Sequence, residues 1–248
     1  MRKTILITGA SSGLGEGLAR ECAAHGRNLA LCARRTDRLE QLRTELLGQF
    51  PGVTISVRAL DVNDHAQVFA VFDAFAAEFG TIDRIIVNAG VGDGRRIGTG
   101  KFAINLLTAQ TNFVAALAQC EAAVGIFRRQ KHGHLVTISS VSAMRGLPKH
   151  LTTYAATKAG LATLTEGIRA ELLHTPIRVT TIYPGYIYTE LNAGAKNLPF
   201  VVDAATGCRQ LFAAIEREPA KACVPAWPWT VVGLAMRWLP LKWVARLT

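Results

Sequence analysis

The chain has 248 residues, half of them hydrophobic, which suits one large α/β domain with an ample core. Its formal net charge of +10 fits a phosphorylated cofactor or an anionic membrane surface, but no Lys/Arg-rich tract or aromatic-interleaved basic patch points to nucleic acid. The five cysteines (Cys22, Cys32, Cys120, Cys208, Cys223) lack C-x-x-C spacing and are odd in number, so they read as reduced core residues of a cytoplasmic protein, and the histidines suggest no metal cluster.

Residues 3–8 form a short apolar run that predicts a buried strand. Met1, Arg2 and Lys3 before it give only a faint likeness to a signal peptide, because the apolar run stops too early. TGASSGLG (8–15) follows, after which Leu14, Leu18, Ala19 and Cys22 recur at helical spacing. Strand, glycine turn and helix in that order are the context a dinucleotide fingerprint requires. Gly9 permits the tight turn, Gly13 lets a pyrophosphate approach the backbone, and Gly15 lets helix pack on strand. Ser11, Ser12 and Leu14 complete the turn. The helix N-terminus presents unpaired N–H groups and a positive dipole end to phosphate.

The second predicted strand, 28–33, ends where an acid would meet the ribose 2′-hydroxyl of an unphosphorylated cofactor. Arg34 and Arg35 stand there instead, and a guanidinium fork suits a 2′-phosphate, so NADP(H) is expected. The plainer alternative is a solvated helix start with Thr36 as cap and Asp37 in the first turn. A helix over 37–50 leads to a strand over 53–60, beyond which Asp61 and Val62 are placed for an adenine edge, or Asp61 for a loop cap. After a helix over 64–79, the strand 84–87 runs into Asn88, Ala89 and Gly90, where backbone can approach a ligand closely. The glycines at 92, 94, 98 and 100, with Arg95, Arg96 and Lys101, read as a mobile loop that meets an anionic substrate or only solvent.

A long helix over 104–129 carries Asn112 among apolar neighbours, where its amide needs a partner or else caps or kinks the helix. A strand over 134–139 brings Ser139 and Ser140 to the crevice. In the helix over 153–174, Tyr154 and Lys158 stand four residues apart and share a face. An ammonium there lowers the phenol from about 10 toward neutrality, as general acid–base work requires. The strand 178–183 ends in Pro184 and Gly185, with Ile187 and Thr189 beyond: a rigid wall for a nicotinamide, or an ordinary turn. A last strand covers 222–225. The alternation predicts a single Rossmann-like doubly wound α/β domain over 1–226, with a seven-stranded parallel sheet and helices on both faces.

The motifs TGASSGLG, ARR (33–35), DV (61–62), NAG (88–90), Asn112, ISS (138–140), YAATK (154–158) and PGYIYT (184–189) occur in this order over roughly residues 3–190. Taken together they resemble the classical short-chain dehydrogenase/reductase family. The resemblance implies an oxidoreductase that transfers a hydride between NADP(H) and a small-molecule carbonyl or alcohol, as a homodimer or homotetramer. It implies that Tyr154 protonates the carbonyl oxygen and Ser140 hydrogen-bonds it as charge develops. Lys158 would lower the phenol pKa and hold the nicotinamide ribose, and Asn112 would position a water linking Lys158 to solvent. Ser140 precedes Tyr154 by fourteen residues, one more than is common among members. Either the stretch 149–153 holds an extra residue, which keeps the serine in its role, or Val141 takes the expected slot.

Residues 227–248 form an extension that fits the family least. All four tryptophans (Trp227, Trp229, Trp238, Trp243) lie there, and past Glu218 the chain has no acid but keeps Lys221, Arg237, Lys242 and Arg246. The apolar stretch 231–236 lies between Pro228 and Pro240, far short of the roughly 20 residues that span a bilayer. Tryptophan beside basic residues suits a membrane interface and equally suits burial against the substrate cleft or a neighbouring subunit. The expected substrate is lipophilic and the expected location cytoplasmic, peripheral at a membrane surface. The alternatives are a polar acyl-thioester substrate met by Arg95, Arg96 and Lys101, or an NADPH-sensing protein without turnover.

Overall fold

The computed structural model describes residues 2–192, 194 and 198–244; Arg246 of the basic tail lies outside them. One parallel sheet is built from β1 (Thr4–Thr8), β2 (Asn28–Ala33), β3 (Ile55–Ala59), β4 (Arg84–Val87), β5 (Gly133–Ile138), β6 (Ile177–Pro184) and β7 (Lys221–Val224). The helices are α1 (Gly13–Ala24), α2 (Thr36–Gln49), α3 (His65–Phe79), α4 (Phe102–Ala109), α5 (Ala115–Gln130), α6 (Leu151–Glu171), α7 (Ala204–Glu216), α8 (Trp229–Trp238) and α9 (Leu241–Val244). The strand order β3-β2-β1-β4-β5-β6-β7 changes direction between β1 and β4. That switch opens a crevice beyond the carboxyl ends of the strands.

Burial on both faces explains the near-continuous apolar runs of the strands. Every residue of β1 is buried, Ile5 and Ile7 in one core and Leu6 in the other. Leu18 of α1, Leu39 of α2 and Leu211 of α7 close the first core; Phe72 of α3, Phe127 of α5 and Leu161 of α6 close the second. All five cysteines are free, four of them buried.

The helix expected over 104–129 is interrupted. Between α4 and α5 lies a π-helical turn, Gln110–Val114, whose extra residue brings Asn112 into the interior. The C-terminal segment is also more ordered than its prolines suggest. Pro228 precedes α8, Pro240 separates α8 from α9, and α8 buries Trp229 and Gly233. Trp229 packs in a small cluster with Val141, Ala162 and Tyr183. The alternatives of burial and exposure for the tryptophans are therefore divided: Trp229 is inside, whereas Trp227, Trp238 and Trp243 are exposed.

At the opposite end of the sheet sits an ionic cluster with no motif to announce it. Arg84, only 1% exposed, donates through Nε to His134 Nδ1 at 2.8 Å and pairs with Glu216 and Glu218. Arg27 reaches Glu216 at 2.6 Å and Arg2 reaches Glu218 at 2.7 Å. Because His134 Nδ1 accepts, its Nε2 carries the proton and donates to Thr180 Oγ1 at 2.8 Å; Thr180 in turn donates to the Pro219 carbonyl at 2.6 Å. Burial, then the Arg84 charge, push His134 down to about 3, so the imidazole is neutral.

Candidate active site

A cleft of about 1090 Å³ opens at the carboxyl ends of the strands. It is lined by Gly9, Ser11, Ser12, Gly13, Leu14, Arg34, Arg35, Asp61, Val62, Asn88, Ala89, Gly90, Ser140, Tyr154, Lys158, Pro184, Gly185, Ile187 and Thr189. Of the catalytic and cofactor residues expected from the sequence, Gly15 and Asn112 are the two not on its wall.

Gly15 stands behind the turn. A Cβ there would lie 2.3 Å from the Gly9 carbonyl oxygen, so helix α1 can press onto the turn only without a side chain. Gly9 has φ +66°, and its Cβ would meet Ala89 Cα at 2.8 Å. The turn and the segment after β4 are thereby in direct contact. Thr8 ties them further: its hydroxyl accepts from the Asn88 and Ala89 N–H groups, each at 3.1 Å, and Asn88 Nδ2 donates to the Thr8 carbonyl at 2.9 Å. Ser12 precedes α1 in extended conformation with no side-chain cap, so the first-turn N–H groups remain for an anion.

Arg35 lies over that turn, Nε 3.3 Å from Ser11 Oγ and Nη2 2.5 Å from Ser12 Oγ. No acid stands at the end of β2 itself to compete for it. The fold supplies one: Glu190, beyond β6, is 3.5 Å from Arg35 and 2.7 Å from Arg38. The Arg38 hydrogen bond above all holds the Glu190 carboxyl below its usual range. Arg34 has no ion pair among the described residues. Asp61 makes an Asx turn, accepting from the Asn63 N–H at 3.0 Å, while Asp64 caps α3 by accepting from Gln67.

The second part of the cleft is built by β5, α6 and the turn after β6. Ser139 points inward, donating to the Lys158 carbonyl at 2.8 Å, and the strand alternation turns Ser140 toward Tyr154. Val141, the other occupant considered for the serine slot, is buried beside Trp229. Lys158 is 5% exposed; its Nζ donates to the Ile138 carbonyl at 2.9 Å and lies 6.0 Å from the Tyr154 ring centroid. Burial pushes this ammonium down to about 8. Burial likewise lifts the Tyr154 phenol above its ordinary value, with Ser140 pulling it down and Tyr186 adding to the rise. The lowering expected from Lys158 is therefore corrected: the ammonium is itself desolvated and is directed at Ile138, so burial dominates the phenol.

Asn112 is buried behind Gly90. Its Oδ1 accepts from the Val91 N–H and its Nδ2 donates to the Val91 carbonyl, both at 2.8 Å. A Cβ built on Gly90 would lie 3.0 Å from Asn112 Oδ1 and 3.4 Å from Lys158 Nζ, so these groups converge on one point of backbone. The glycine-rich loop that follows is anchored. Asn105 bonds both the N–H and the carbonyl of Arg95, Thr108 donates to the Asp93 carbonyl at 2.7 Å, and Arg95 pairs with Asp93. Neither Arg95, Arg96 nor Lys101 lines the cleft.

Sequence reading missed Leu107, Thr111, His150, Leu151 and Tyr186, which also line the cleft. Tyr186 sits within the PGYIYT stretch but carries no signal of its own there, and the others are brought in by the packing of α4, the π turn and the start of α6.

This arrangement has close parallels. The chain matches the short chain dehydrogenase family over residues 3–197 and belongs to that family of oxidoreductases. It is 52% identical over 245 residues to a protein of Mycobacterium tuberculosis named an uncharacterized oxidoreductase, spanning 99% of this chain and 97% of the other. An alcohol dehydrogenase from the archaeon Thermococcus sibiricus, complexed with 5-hydroxy-NADP, is 25% identical with a TM-score of 0.79, covering 89% of this chain and 95% of that one. A short chain dehydrogenase/reductase from Burkholderia phymatum in complex with NAD has a TM-score of 0.85 at 20% identity, over 100% and 96% of the two chains, a likeness of fold.

Proposed function

We propose that this oxidoreductase interconverts a carbonyl and an alcohol on a lipophilic small molecule with NADP(H) as the redox partner. The observation that carries the reading is the meeting of Ser140, Tyr154 and Lys158 with the glycine turn in one cleft. The residues present fit the cofactor. Without side chains at Gly9 and Gly15 the turn packs tightly against Ala89 and α1, which holds it in the shape of the cleft wall; the α1 N-terminus suits a pyrophosphate, and Arg34 with Arg35 suits a 2′-phosphate. When bound, the nicotinamide supplies the redox equivalent. Asn88, Ala89, Gly90, Pro184, Gly185, Ile187 and Thr189 wall its side of the cleft.

Tyr154 donates the proton to the carbonyl oxygen. A phenol lifted above its ordinary value is protonated at neutral pH and ready to give that proton up to a developing alkoxide. Ser140 steadies the same oxygen as charge grows on it, an interaction stronger in the transition state than in the ground state. Lys158 holds the ribose and places positive charge near the phenol. Asn112 acts as a positioning residue through Val91, which keeps the backbone at Gly90 and the Lys158 ammonium in register. Apolar lining by Val91, Leu107, Leu151 and Ile187 supports a lipophilic substrate. Arg95, Arg96 and Lys101 all stand off the wall of the cleft, which weighs against a phosphate-bearing acyl-thioester substrate. Exposed Leu106, Val114 and Leu117 along α4, the π turn and α5 support self-association as a dimer or tetramer, and free cysteines support a cytoplasmic setting.

The test is turnover of a carbonyl series graded in chain length, followed by cofactor absorbance with NADPH and NADH in parallel. Rates that rise with chain length and favour NADPH support the reading. Cofactor binding without turnover of any carbonyl or alcohol would leave the sensing alternative in its place.

A further inference from the structure

Among the described residues, the outer face of α8 is uncovered. Val231, Leu234 and Trp238, at helical spacing, point to solvent, flanked by Trp227 just before the helix and by Leu241 and Trp243 just beyond it. Trp238 is 83% exposed and Trp227 76%. Single exposed apolar residues are ordinary, but a contiguous group containing three of the four tryptophans is not.

The charged side chains that border this face directly are basic, with Glu166 close enough to feel the Arg237 charge. Arg145, Arg237 and Lys242 border it, and none of them is ion-paired among the described residues. Arg145 donates to the Arg237 carbonyl at 3.1 Å, which fixes it beside the end of α8. A second cleft, about 820 Å³, opens next to the helix, with Trp227 and Arg237 on its wall together with Arg217 and Lys221. Lys221 pairs with Glu166 at 3.0 Å.

We infer that the α8–α9 face is the surface by which the protein sits on an anionic lipid bilayer. The helix lies in the interface plane with Val231, Leu234 and Trp238 among acyl chains and Arg145, Arg237 and Lys242 at the level of headgroup phosphates. Charge complementarity selects an anionic bilayer over a neutral one. The inner face of α8 is already committed to the fold through Trp229, so the helix docks as part of the rigid body. Trp229 also meets Phe200 and Tyr186 edge to face, with ring centroids at 6.0 and 5.3 Å, which places the membrane-facing helix against the loop and turn that bound the main cleft. This inference does not depend on the proposed reaction, because binding is measured without turnover.

The experiment is flotation of the purified full-length chain with vesicles of pure phosphatidylcholine or of phosphatidylcholine containing phosphatidylglycerol. The wild-type chain should float with the phosphatidylglycerol vesicles and remain behind with the neutral ones. Raising the salt should release it, since the Debye length falls from about 10 Å at 0.1 M to about 3 Å at 1 M. Replacing Trp227, Leu234 and Trp238 by Ser should lower partitioning on the order of tenfold or more. These sites are exposed, and an unchanged melting temperature confirms that the variant is folded. Arg237→Gln with Lys242→Gln should erase the preference for anionic lipid. Failure of the wild-type chain to float, or equal flotation of the folded triple-serine variant, overturns the inference. Concentration-dependent dimers that the triple variant abolishes, with no vesicle binding, overturn it in favour of a second copy on this face.

Discussion

Glu190 reaches back across the mouth of the cleft to within 3.5 Å of Arg35, so the guanidinium that lies over the glycine turn already faces a carboxylate. Arg38 shares that carboxylate at 2.7 Å, and all three side chains are exposed. Exposed pairs of this kind are weakly held, so the carboxylate can yield to a ligand phosphate. Arg34 has no such partner among the described residues, and the two arginines are therefore unequal.

Glu190→Gln should tighten NADPH binding by roughly a fewfold and leave NADH unchanged, because it removes a like-charged competitor of the 2′-phosphate. Arg34→Ala should weaken NADPH about thirtyfold, the value of one charge-assisted hydrogen bond, with little change for NADH. Calorimetric titration with both cofactors checks this; equal losses for both would make the arginine structural.

Tyr154→Phe should abolish turnover while sparing cofactor binding, since only the proton donor is removed. Lys158→Ala should damage both. Lys158 titrates near 8, so it is charged below that pH and neutral above it. The reductive kcat/KM should accordingly hold through neutral pH and decline as pH rises past about 8. A profile flat to pH 10 would place the Lys158 charge outside the rate-limiting step.

Asn112→Ala removes both hydrogen bonds that clamp the half-buried backbone of Val91. A loss of about 1–3 kcal/mol is expected, read from urea unfolding. If the clamp also positions Lys158, kcat should drop more than KM changes; loss of stability with unaltered kinetics would confine Asn112 to the fold.

Acid should loosen the lower end of the sheet before the cleft. The folded His134 titrates near 3 against an ordinary 6.5, so below 6.5 the unfolded chain takes up a proton that the folded chain refuses, and stability falls as pH drops. Burial raises Glu216 and Glu218, but the arginines overcome it and hold both below 4.5; their contribution is present above that value and is lost as pH falls through the lowered ones. Melting temperature measured between pH 7 and 4 should decline in the wild-type chain and less steeply in His134→Gln. Parallel slopes would show that the imidazole is not part of the acid response.

Much of the fold was legible because local chemistry and tertiary demand coincide. The apolar run at Ile5, Leu6 and Ile7 serves a strand buried on both faces, and the close approach of α1 to the preceding turn requires glycine at position 9 of the turn and position 15 of the helix. Tyr154 and Lys158 share a helix face by spacing alone. Other features depend on residues far apart in the chain. Glu190 meets Arg35 only when the segment beyond β6 folds over β2, and His134 meets Arg84 only because β4 and β5 pair in register. The Tyr154 phenol rises rather than falls because burial is a property of the assembled core, which no spacing of Tyr and Lys records. Asn112 stands out in the sequence as an amide in want of a partner, but the partner, Val91, meets it from the far side of the π turn. The tail shows the division most plainly. Composition alone sets tryptophans beside basic residues, while packing of α8 on Val141 and Tyr183 decides that Trp229 is interior and that Trp227 and Trp238 face outward. Sequence carries what is local and periodic; the depth at which a group is buried, and the charge it finally faces, belong to the folded chain.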